Sequence, residues 1–462
     1  MDVRKDILIN CSVGETRMAV TEDGLPVEIK LFRDHQPSYV DSIFLGRITK
    51  LSTEFQAAFV DLGNNLSGFL PLKTMPRSPG KKPKDLTALV QEGQRIIVQV
   101  TADADQHKSL KLTGRVELLS PAVVFHPFRA GAYVSSRLKD PNKREELKKF
   151  GKSLKLDQYG LTFRTDAQHY SLEKLTAVSR HFILHWQNIT NDLKNQKCPS
   201  ILTQPPVPIE QIMRRFAKTD ISNVIIDNAA AVRLAVQWAN VFSAGLADRI
   251  NEYTEKETLF SRYEIEDEIE QITAKNVPLA SGAWITIEET EALTAIDVNM
   301  GSAQVANDQQ KQIFKINKEA AREVFRQLRL RSLGGIVIVD FIDMEDKGDQ
   351  KSLLHYVDEL ILRDPEPLQR GGISSFGLLE LTRRTVQNSL NNLMLEKHVL
   401  SKNTESICLD LLRNAQAEAK NNPGLPVTIK VDSNAKKWFE NNSIVLDSFL
   451  KITGSNLKLD QL

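Results

Sequence analysis

Two short apolar runs that each end in an aspartate constrain the fold of this chain more than any other feature. They are LTAID at 293–297 and GIVIVD at 335–340, and between them, over 313–331, apolar residues recur every three or four positions. That spacing is the period of an α-helix that packs on one side, and Gly334 and Gly335 follow where a helix commonly ends. Strand, helix and strand in this order predict two parallel strands joined by a helical crossover.

The aspartates at the ends of these strands are candidate metal ligands. If the strands are close in one sheet, Asp297 and Asp340 lie together at its carboxyl edge, where open α/β sheets bind ligands. Because side chains alternate along a strand, Asn299 shares the face of Asp297. Carboxylates are the usual ligands of hard divalent cations, so the pattern predicts a metal site. The alternative is that each aspartate only ends its strand and faces water.

Size and composition narrow the class of protein. A chain of 462 residues is too long for one core, so several domains are expected. The net charge of +1 does not exclude a nucleic-acid site, since a local basic surface is enough. No apolar stretch approaches the ~18 residues of a membrane span, and a cytoplasmic location is expected. The three cysteines are far apart and form no local zinc or disulfide pattern.

Closely spaced short strands occupy residues 41–73 and 95–100. Such spacing favours a small oligonucleotide-binding barrel of the OB type. Within it, Phe59 and Phe69 are either platforms on which bases stack or members of the barrel core.

Several motifs in order resemble the catalytic half of the ribonuclease E/G family. They are TEALTAIDVN at 290–299, RQLRLRSLGG at 326–335, DFIDM at 340–344 and FGLLE at 376–380, with further matches at 15–19 and 57–63. The resemblance covers residues 6 to about 385. It implies an α/β (α+β multi-domain) chain whose ribonuclease H-like fold, 1–37 and 207–272, is interrupted by an S1-type OB barrel, 38–117, and a 5′-sensor subdomain with linker, 118–206. A deoxyribonuclease I-like catalytic subdomain, 273–390, and a small C-terminal α+β domain, 403–462, follow.

The resemblance implies an endoribonuclease that cuts single-stranded RNA. Asp297 and Asp340 would hold one Mg²⁺ per active site and Asn299 would hydrogen-bond near the scissile phosphate, leaving 5′-phosphate and 3′-hydroxyl products. In a regular strand Asp343 points away from the face of Asp340, so we do not expect it to bind the same metal ion.

Further site residues follow from the resemblance alone. Those implied to bind RNA are Phe59, Phe69 and Lys108, and those implied to bind a 5′-monophosphate are Arg164, Thr165 and Val124. A guanidinium and a hydroxyl are suitable phosphate donors, which agrees with the second set.

The chain departs from the family pattern at several positions. The segment 388–401 has no cysteine where the family usually has a C-P-x-C zinc motif, so no zinc is expected, and an oligomer is possible but not a zinc-linked one. Ser120 replaces a glycine, and the acidic segment 364–367 (DPEP) replaces a basic residue. A weakened preference for 5′-monophosphate ends is therefore expected.

Two other functions are compatible with these residues. An RNA-binding protein without catalysis would keep the barrel, but Asp297, Asn299 and Asp340 are all present, which disfavours it. A metal-dependent deoxyribonuclease would use the same acidic pair, because contacts to the 2′-hydroxyl cannot be read from sequence.

Overall fold

The computed structural model describes residues 3–34, 38–75, 89–103, 109–243, 245–301, 309–374, 376–384, 389–395 and 404–461. They form two compact units, Met1–Leu395 and Glu396–Leu462. Within the described ranges, no helix combines the length and apolar character needed to cross a membrane.

The first unit is built from short strands with helices between them. Up to residue 203 it comprises β1 (Lys5–Ser12), β2 (Glu15–Glu22), β3 (Leu25–Arg33), β4 (Ile43–Ser52), β5 (Ala57–Gly63), β6 (Leu66–Pro71), β7 (Arg95–Ala102), β8 (Leu110–Thr113), β9 (Leu118–Leu119), β10 (Val123–His126), β11 (Gly131–Val134), α1 (Pro141–Ser153), β12 (Gly160–Phe163), α2 (Leu172–Thr190) and β13 (Ser200–Thr203). From there to residue 395 it comprises α3 (Pro208–Phe216), β14 (Asn223–Ile226), α4 (Ala229–Phe242), β15 (Ile250–Glu252), α5 (Leu259–Arg262), α6 (Ile265–Gln271), β16 (Asn276–Pro278), β17 (Trp284–Glu289), β18 (Leu293–Asn299), α7 (Gln309–Leu330), β19 (Gly335–Asp340), α8 (Lys347–Arg363), β20 (Leu368–Ile373), β21 (Leu378–Arg383) and α9 (Leu390–Met394).

The first sheet combines strands from two distant parts of the chain. Its order is β15-β14-β1-β2-β3; β1 to β3 are antiparallel, whereas β14 is parallel to β1 and β15 to β14. The segment between β3 and β14 is therefore an insertion. This insertion agrees with the sequence prediction, whereas the ribonuclease H-like assignment and the residue limits of the subdomains stay predictions.

The inserted segment begins with the predicted barrel. Strands β4, β5, β6, β8 and β7 are neighbours in that order, and pairing of β4 with β7 closes the barrel. Inward-facing apolar side chains such as Val60, Val98 and Leu112 form its core. Gly68 allows close packing at this point, since a Cβ on it would clash with the side chain of Leu112. The OB-like barrel expected from strand spacing is confirmed.

A small sheet follows the barrel within the insertion. Its order is β11-β12-β10-β9, and α1 and α2 accompany it. Phe125 of β10 and Phe163 of β12 are fully buried and belong to the same core as apolar residues of the first sheet. The small sheet thus shares one apolar core with the first sheet.

The last sheet of the first unit contains both predicted acid-ending strands. Its order is β16-β17-β18-β19-β21-β20, and β18 and β19 are the parallel neighbours that the sequence predicts, joined through α7. Helix α7 buries its apolar stripe, with Ile316, Ala320 and Leu328 fully buried. Burial of this stripe holds the helix on the sheet, because apolar area removed from water stabilises by about 25 cal/mol per Å².

The end of α7 lies just before the two glycines, as the sequence predicts. The residue that ends the helix in the left-handed conformation is Ser332, with φ of 57°, and Gly335 also has a positive φ, of 84°. The amide of Leu333 donates to the carbonyl of Leu328 at 3.0 Å, and that of Ser332 to the carbonyl of Arg329 at 3.1 Å. This pair of bonds is a Schellman motif, which satisfies the last carbonyls of the helix. The side chain of Ser332 has a buried hydrogen-bond partner.

That partner is Lys30 of β3, which joins the first sheet to the end of α7. Its Nζ donates to Oγ of Ser332 at 2.7 Å and lies 3.6 Å from Oε1 of Glu28. Arg329 lies 3.7 Å from the other carboxylate oxygen of Glu28. Burial lowers the pKa of Lys30 to about 8, against the raising effect of Glu28.

The second unit is a small α+β domain, as the sequence predicts. It comprises α10 (Thr404–Asn421), β22 (Val427–Val431), α11 (Ser433–Asn441), α12 (Ser443–Thr453) and β23 (Leu457–Gln461). The two strands pair in parallel. Cys408 is fully buried in the core of this unit, as its apolar neighbours in the sequence suggest.

Candidate active site

The two aspartates lie side by side at the carboxyl ends of β18 and β19. In the parallel register Ile296 is opposite Val339, and Asp297 is opposite Asp340. Neighbouring strands are about 4.8 Å apart, so the two carboxylates lie next to each other on one face of the sheet. Both aspartates are exposed, while Ile296 and Val339 are buried on the other face. The prediction that the strands bring these residues together is therefore confirmed.

Asn299 is held next to Asp297 by hydrogen bonds. Its Nδ2 donates to Oδ2 of Asp297 at 2.7 Å and has a longer contact, 3.4 Å, with Oγ1 of Thr286. The Thr286 hydroxyl in turn donates to Oδ1 of Asn276 at 3.1 Å. This chain of polar groups orients both the amide and the carboxylate, because Asn299 contacts Thr286 on the neighbouring strand and Asp297 on its own strand.

The pKa of Asp340 reflects its position among other carboxylates. Partial burial raises the pKa of Asp340, and the negative charges of Asp297 and Asp343 raise it further. Repulsion between adjacent carboxylates disfavours their ionised forms, and a bound cation would remove that repulsion.

Asp343 does not follow the strand geometry from which its role was predicted. Strand β19 ends at Asp340, so the alternation of side chains does not extend to Asp343. The chain turns because Asn317 of α7 accepts from the amide of Ile342 at 3.0 Å and donates to its carbonyl at 2.8 Å. Asp343 is exposed and close enough for its charge to act on Asp340. Strand alternation therefore does not decide the direction of the Asp343 side chain, and its absence from the metal site stays a prediction.

Asn317 is a residue that sequence reasoning missed. It is fully buried and polar, and it lies on α7 beside Ile316 of the apolar stripe. A buried amide on the packed face of a helix needs partners. That signal was available in the sequence, but the identity of its partner, the backbone of Ile342, was not.

The donor set fits a hard divalent cation such as Mg²⁺. The side chains at the edge offer carboxylate and amide oxygens, which Mg²⁺ prefers, and the two aspartates are open to solvent, from which the ion would take its remaining ligands. Among the described residues no group of three or more His, Cys, Asp or Glu side chains is arranged to hold a metal ion, so the candidate site rests on the two aspartates. An open site built on two carboxylates is the arrangement typical of Mg²⁺ that also binds phosphate.

The barrel presents an aromatic pair on its outer surface. Phe59 of β5 and Phe69 of β6 are opposite each other, with ring centroids 5.7 Å apart and planes at 68°. Neither belongs to the buried barrel core, in which their neighbours Val60 and Leu70 take part. The structure thus favours the surface interpretation over the core alternative. Lys108, the third residue implied to bind RNA, lies outside the described residues.

Two lysines that sequence reasoning missed flank this pair. Lys50 of β4 is opposite Phe59, and Lys111 of β8 is opposite Phe69. Opposite residues in neighbouring strands share a face, so the four side chains form one row across the barrel. Both lysines are exposed. No local signal in the sequence identifies them, because the row depends on strand register.

The three residues implied to bind a 5′-phosphate lie on the small sheet. Val124 of β10 is opposite Thr162, and Arg164 follows the end of β12, with Thr165 next in sequence. The Arg164 guanidinium donates to the carbonyl of Ser120 at 2.9 Å. Ser120 is buried and bonds to the backbone of Val123 through its hydroxyl.

Other cations lie near Arg164. Burial lowers the pKa of Arg164, and the charge of Arg137 lowers it further although Asp166 opposes this. Burial also lowers the pKa of Lys218, with Arg164 among the charges that act on it. Arg137 and Lys218 are thus basic neighbours of the implied pocket that the sequence pattern did not identify.

The acidic segment that replaces a basic residue of the family has structural partners. Asp364 is buried and binds Arg383 through both carboxylate oxygens, at 2.9 and 3.1 Å. Glu366 pairs with Arg215 of α3. These carboxylates are therefore used in ion pairs that hold the fold together.

The zinc prediction concerns a segment that is only partly described. Residues 388 and 396–401 lie outside the described residues.

Comparison with known proteins places this architecture among ribonucleases. The sequence model of the Ribonuclease E/G family matches residues 117–386, and that of the S1 RNA binding domain matches residues 39–113. Ribonuclease G of Escherichia coli (strain K12) is 28% identical over 423 residues, which are 88% of this chain and 86% of that protein. Ribonuclease G of Haemophilus influenzae is 29% identical over 426 residues, 88% of this chain and 86% of that protein. Ribonuclease E of Escherichia coli (strain K12) is 33% identical over 433 residues, 90% of this chain but 40% of that protein.

Proposed function

Because the chain belongs to the ribonuclease E/G family, we propose that it is a Mg²⁺-dependent endoribonuclease that cuts single-stranded RNA in RNA processing or decay. Its products would carry a 5′-phosphate and a 3′-hydroxyl, and we expect it to act in the cytoplasm. The observation that supports this proposal is the in-register pair Asp297 and Asp340 with Asn299 bound beside it.

The proposed roles follow from the chemistry of phosphodiester hydrolysis. Asp297 and Asp340 would hold the Mg²⁺ ion, which when bound neutralises charge on the phosphate oxygens and lowers the pKa of water. Asn299 has two amide hydrogens, one of which binds Asp297 at 2.7 Å. The second makes only the 3.4 Å contact with Thr286, so it is available to donate to an oxygen of the scissile phosphate.

The barrel face would hold the RNA strand. Bases stack on aromatic rings in a way that tolerates any sequence, which suits Phe59 and Phe69 on the outer surface. Arg164 and Thr165 would bind the 5′-phosphate of the same strand. Since Arg164 already donates to the carbonyl of Ser120, we expect that contact to be shared or lost when a phosphate binds.

A cleavage assay on a short single-stranded RNA tests the proposal. We expect the parent protein to cut the RNA only when Mg²⁺ is present, and the isosteric variants Asp297→Asn and Asp340→Asn to lose at least about a hundredfold in kcat, since each removes a charged group that acts on the transition state. Glu345→Gln, which removes an exposed carboxylate a few residues away, is the matched control and should keep full activity.

The outcomes separate the competing functions. Equal activity of the parent and both aspartate variants would refute the site. Tight RNA binding without cleavage at any Mg²⁺ concentration would favour a binding protein without catalysis. Faster cleavage of DNA than of RNA of the same sequence would favour a deoxyribonuclease.

A further inference from the structure

An exposed indole, Trp284, lies on the same face of the sheet as the candidate active site. It is the first residue of β17, opposite Asn299 in the antiparallel register, while Thr286 is opposite Asp297. Opposite residues carry their side chains on the same face, with Cα atoms about 5 Å apart. Trp284 therefore stands beside Asn299, further toward the carboxyl edge than Asp297.

Trp284 is not part of the core of this sheet. Ile285 and Ile287 of the same strand are buried on the opposite face, whereas Trp284 keeps 36% of its surface exposed. The neighbouring residues on its own face, Asn299 and Asp297, are polar. A single exposed aromatic has no special meaning by itself, but this one adjoins the group proposed to contact the scissile phosphate.

The indole is held in place from one side by Gly301. This glycine has φ of 56°, and a Cβ on it would lie 2.5 Å from Cζ3 and 2.8 Å from Cε3 of Trp284. Its backbone thus packs directly on the six-membered ring, an approach that only glycine permits. A ring fixed in this way loses little conformational freedom when a ligand stacks on it.

We infer that Trp284 positions the substrate by stacking on a nucleobase next to the scissile phosphate. The inference rests on the proposed function and names a further contact in the same site. An indole offers a π face to every base, so the contact would hold the strand over Asp297 and Asp340 without selecting a sequence. Stacking by Trp284 and donation by Asn299 would then fix one nucleotide at two points.

The test removes the indole and the base in turn. The substrates are a single-stranded RNA with one cleavage site and two copies that lack the base on the 5′ side or on the 3′ side of that site. We expect loss of one of these bases to lower kcat/KM of the parent about 5- to 150-fold, the range that corresponds to one stacked base. On intact RNA, Trp284→Ala should show the same decrease in kcat/KM. Removing the same base from the RNA should lower the kcat/KM of Trp284→Ala no further, whereas Trp284→Phe should keep most of the activity on intact RNA.

Further variants and outcomes keep the test decisive. Trp284→Leu preserves an apolar side chain over Gly301 without a π face, and it replaces Trp284→Ala if the latter fails to fold. Leu362→Ala removes a large apolar residue that is 81% exposed at the end of α8 and should change nothing. The inference would be overturned if the parent cleaves intact RNA but loss of the base lowers kcat/KM equally in the parent and in Trp284→Ala or Trp284→Leu. Failure of the parent to cleave intact RNA with Mg²⁺ would instead overturn the proposed function, and this inference with it.

Discussion

The row of four side chains across the barrel allows a quantitative prediction of how this protein binds RNA. Lys50, Phe59, Phe69 and Lys111 are successive register partners on β4, β5, β6 and β8. Among the described residues, neither lysine forms an ion pair within the chain. We therefore expect a single strand to cross the barrel along this row, with bases on the two rings and phosphates at the two lysines.

The lysines and the aromatic residues should affect binding in different ways. Each phosphate neutralised on a single strand contributes about −0.7 to the slope of log Kobs against log salt concentration. Lys50→Ala and Lys111→Ala should each reduce the steepness of that slope by about 0.7, and the double variant by about 1.4. Phe59→Ala should instead weaken binding by about 1–3 kcal/mol at every salt concentration and leave the slope unchanged.

The measurement is titration of a dye-labelled single-stranded RNA by fluorescence anisotropy without Mg²⁺, between about 50 and 200 mM salt. Lys149→Ala on α1 is the matched control, because Lys149 is equally exposed but lies on another part of the unit. An unchanged slope in both barrel variants, or an equal change in the control, would refute the reasoning from strand register.

Three further predictions concern the pocket, the joint between sheets and the turn after β19. Arg164→Ala should reduce any preference for 5′-monophosphate over 5′-hydroxyl RNA, measured as a ratio of kcat/KM, while cleavage of 5′-hydroxyl RNA stays at the parent rate. The pKa of Lys30 is about 8 in the folded state and near 10.5 in the unfolded state, so its charged form destabilises the folded state. As the pH rises from about 7 to 9.5, the free energy of unfolding of the parent should increase by about 2 kcal/mol relative to that of Lys30→Met. A difference between the two proteins that stays constant over this pH range would contradict the prediction. Asn317→Ala should lower the free energy of unfolding, measured by denaturant titration, by about 2–4 kcal/mol, because it leaves the amide and carbonyl of Ile342 without partners. The same variant should also cleave RNA more slowly, and full cleavage activity would contradict the role given to this turn.

The local patterns of the sequence were enough to predict the centre of the site. Period-two alternation placed Asn299 on the face of Asp297, and the helical stripe over 313–331 predicted the crossover that makes β18 and β19 parallel neighbours. These inferences succeeded because each depends on a short stretch of chain whose periodicity reflects one buried face. The barrel was predicted for the same reason, from the spacing of its strands.

Other features depended on contacts between distant residues and could not be predicted. The turn after β19 is bonded to Asn317 of α7, and Ser332 at the end of that helix is bonded to Lys30 of β3. Both contacts join positions that no sequence periodicity relates.

The sequence by itself therefore determined which acidic residues meet, because a strand end and a crossover helix are local features. The tertiary structure alone decided what surrounds them: the indole beside Asn299 and the lysines beside the aromatic pair. The physical reason is that strand register is selected by the packing of whole sheets, and it brings side chains from separate strands onto one face.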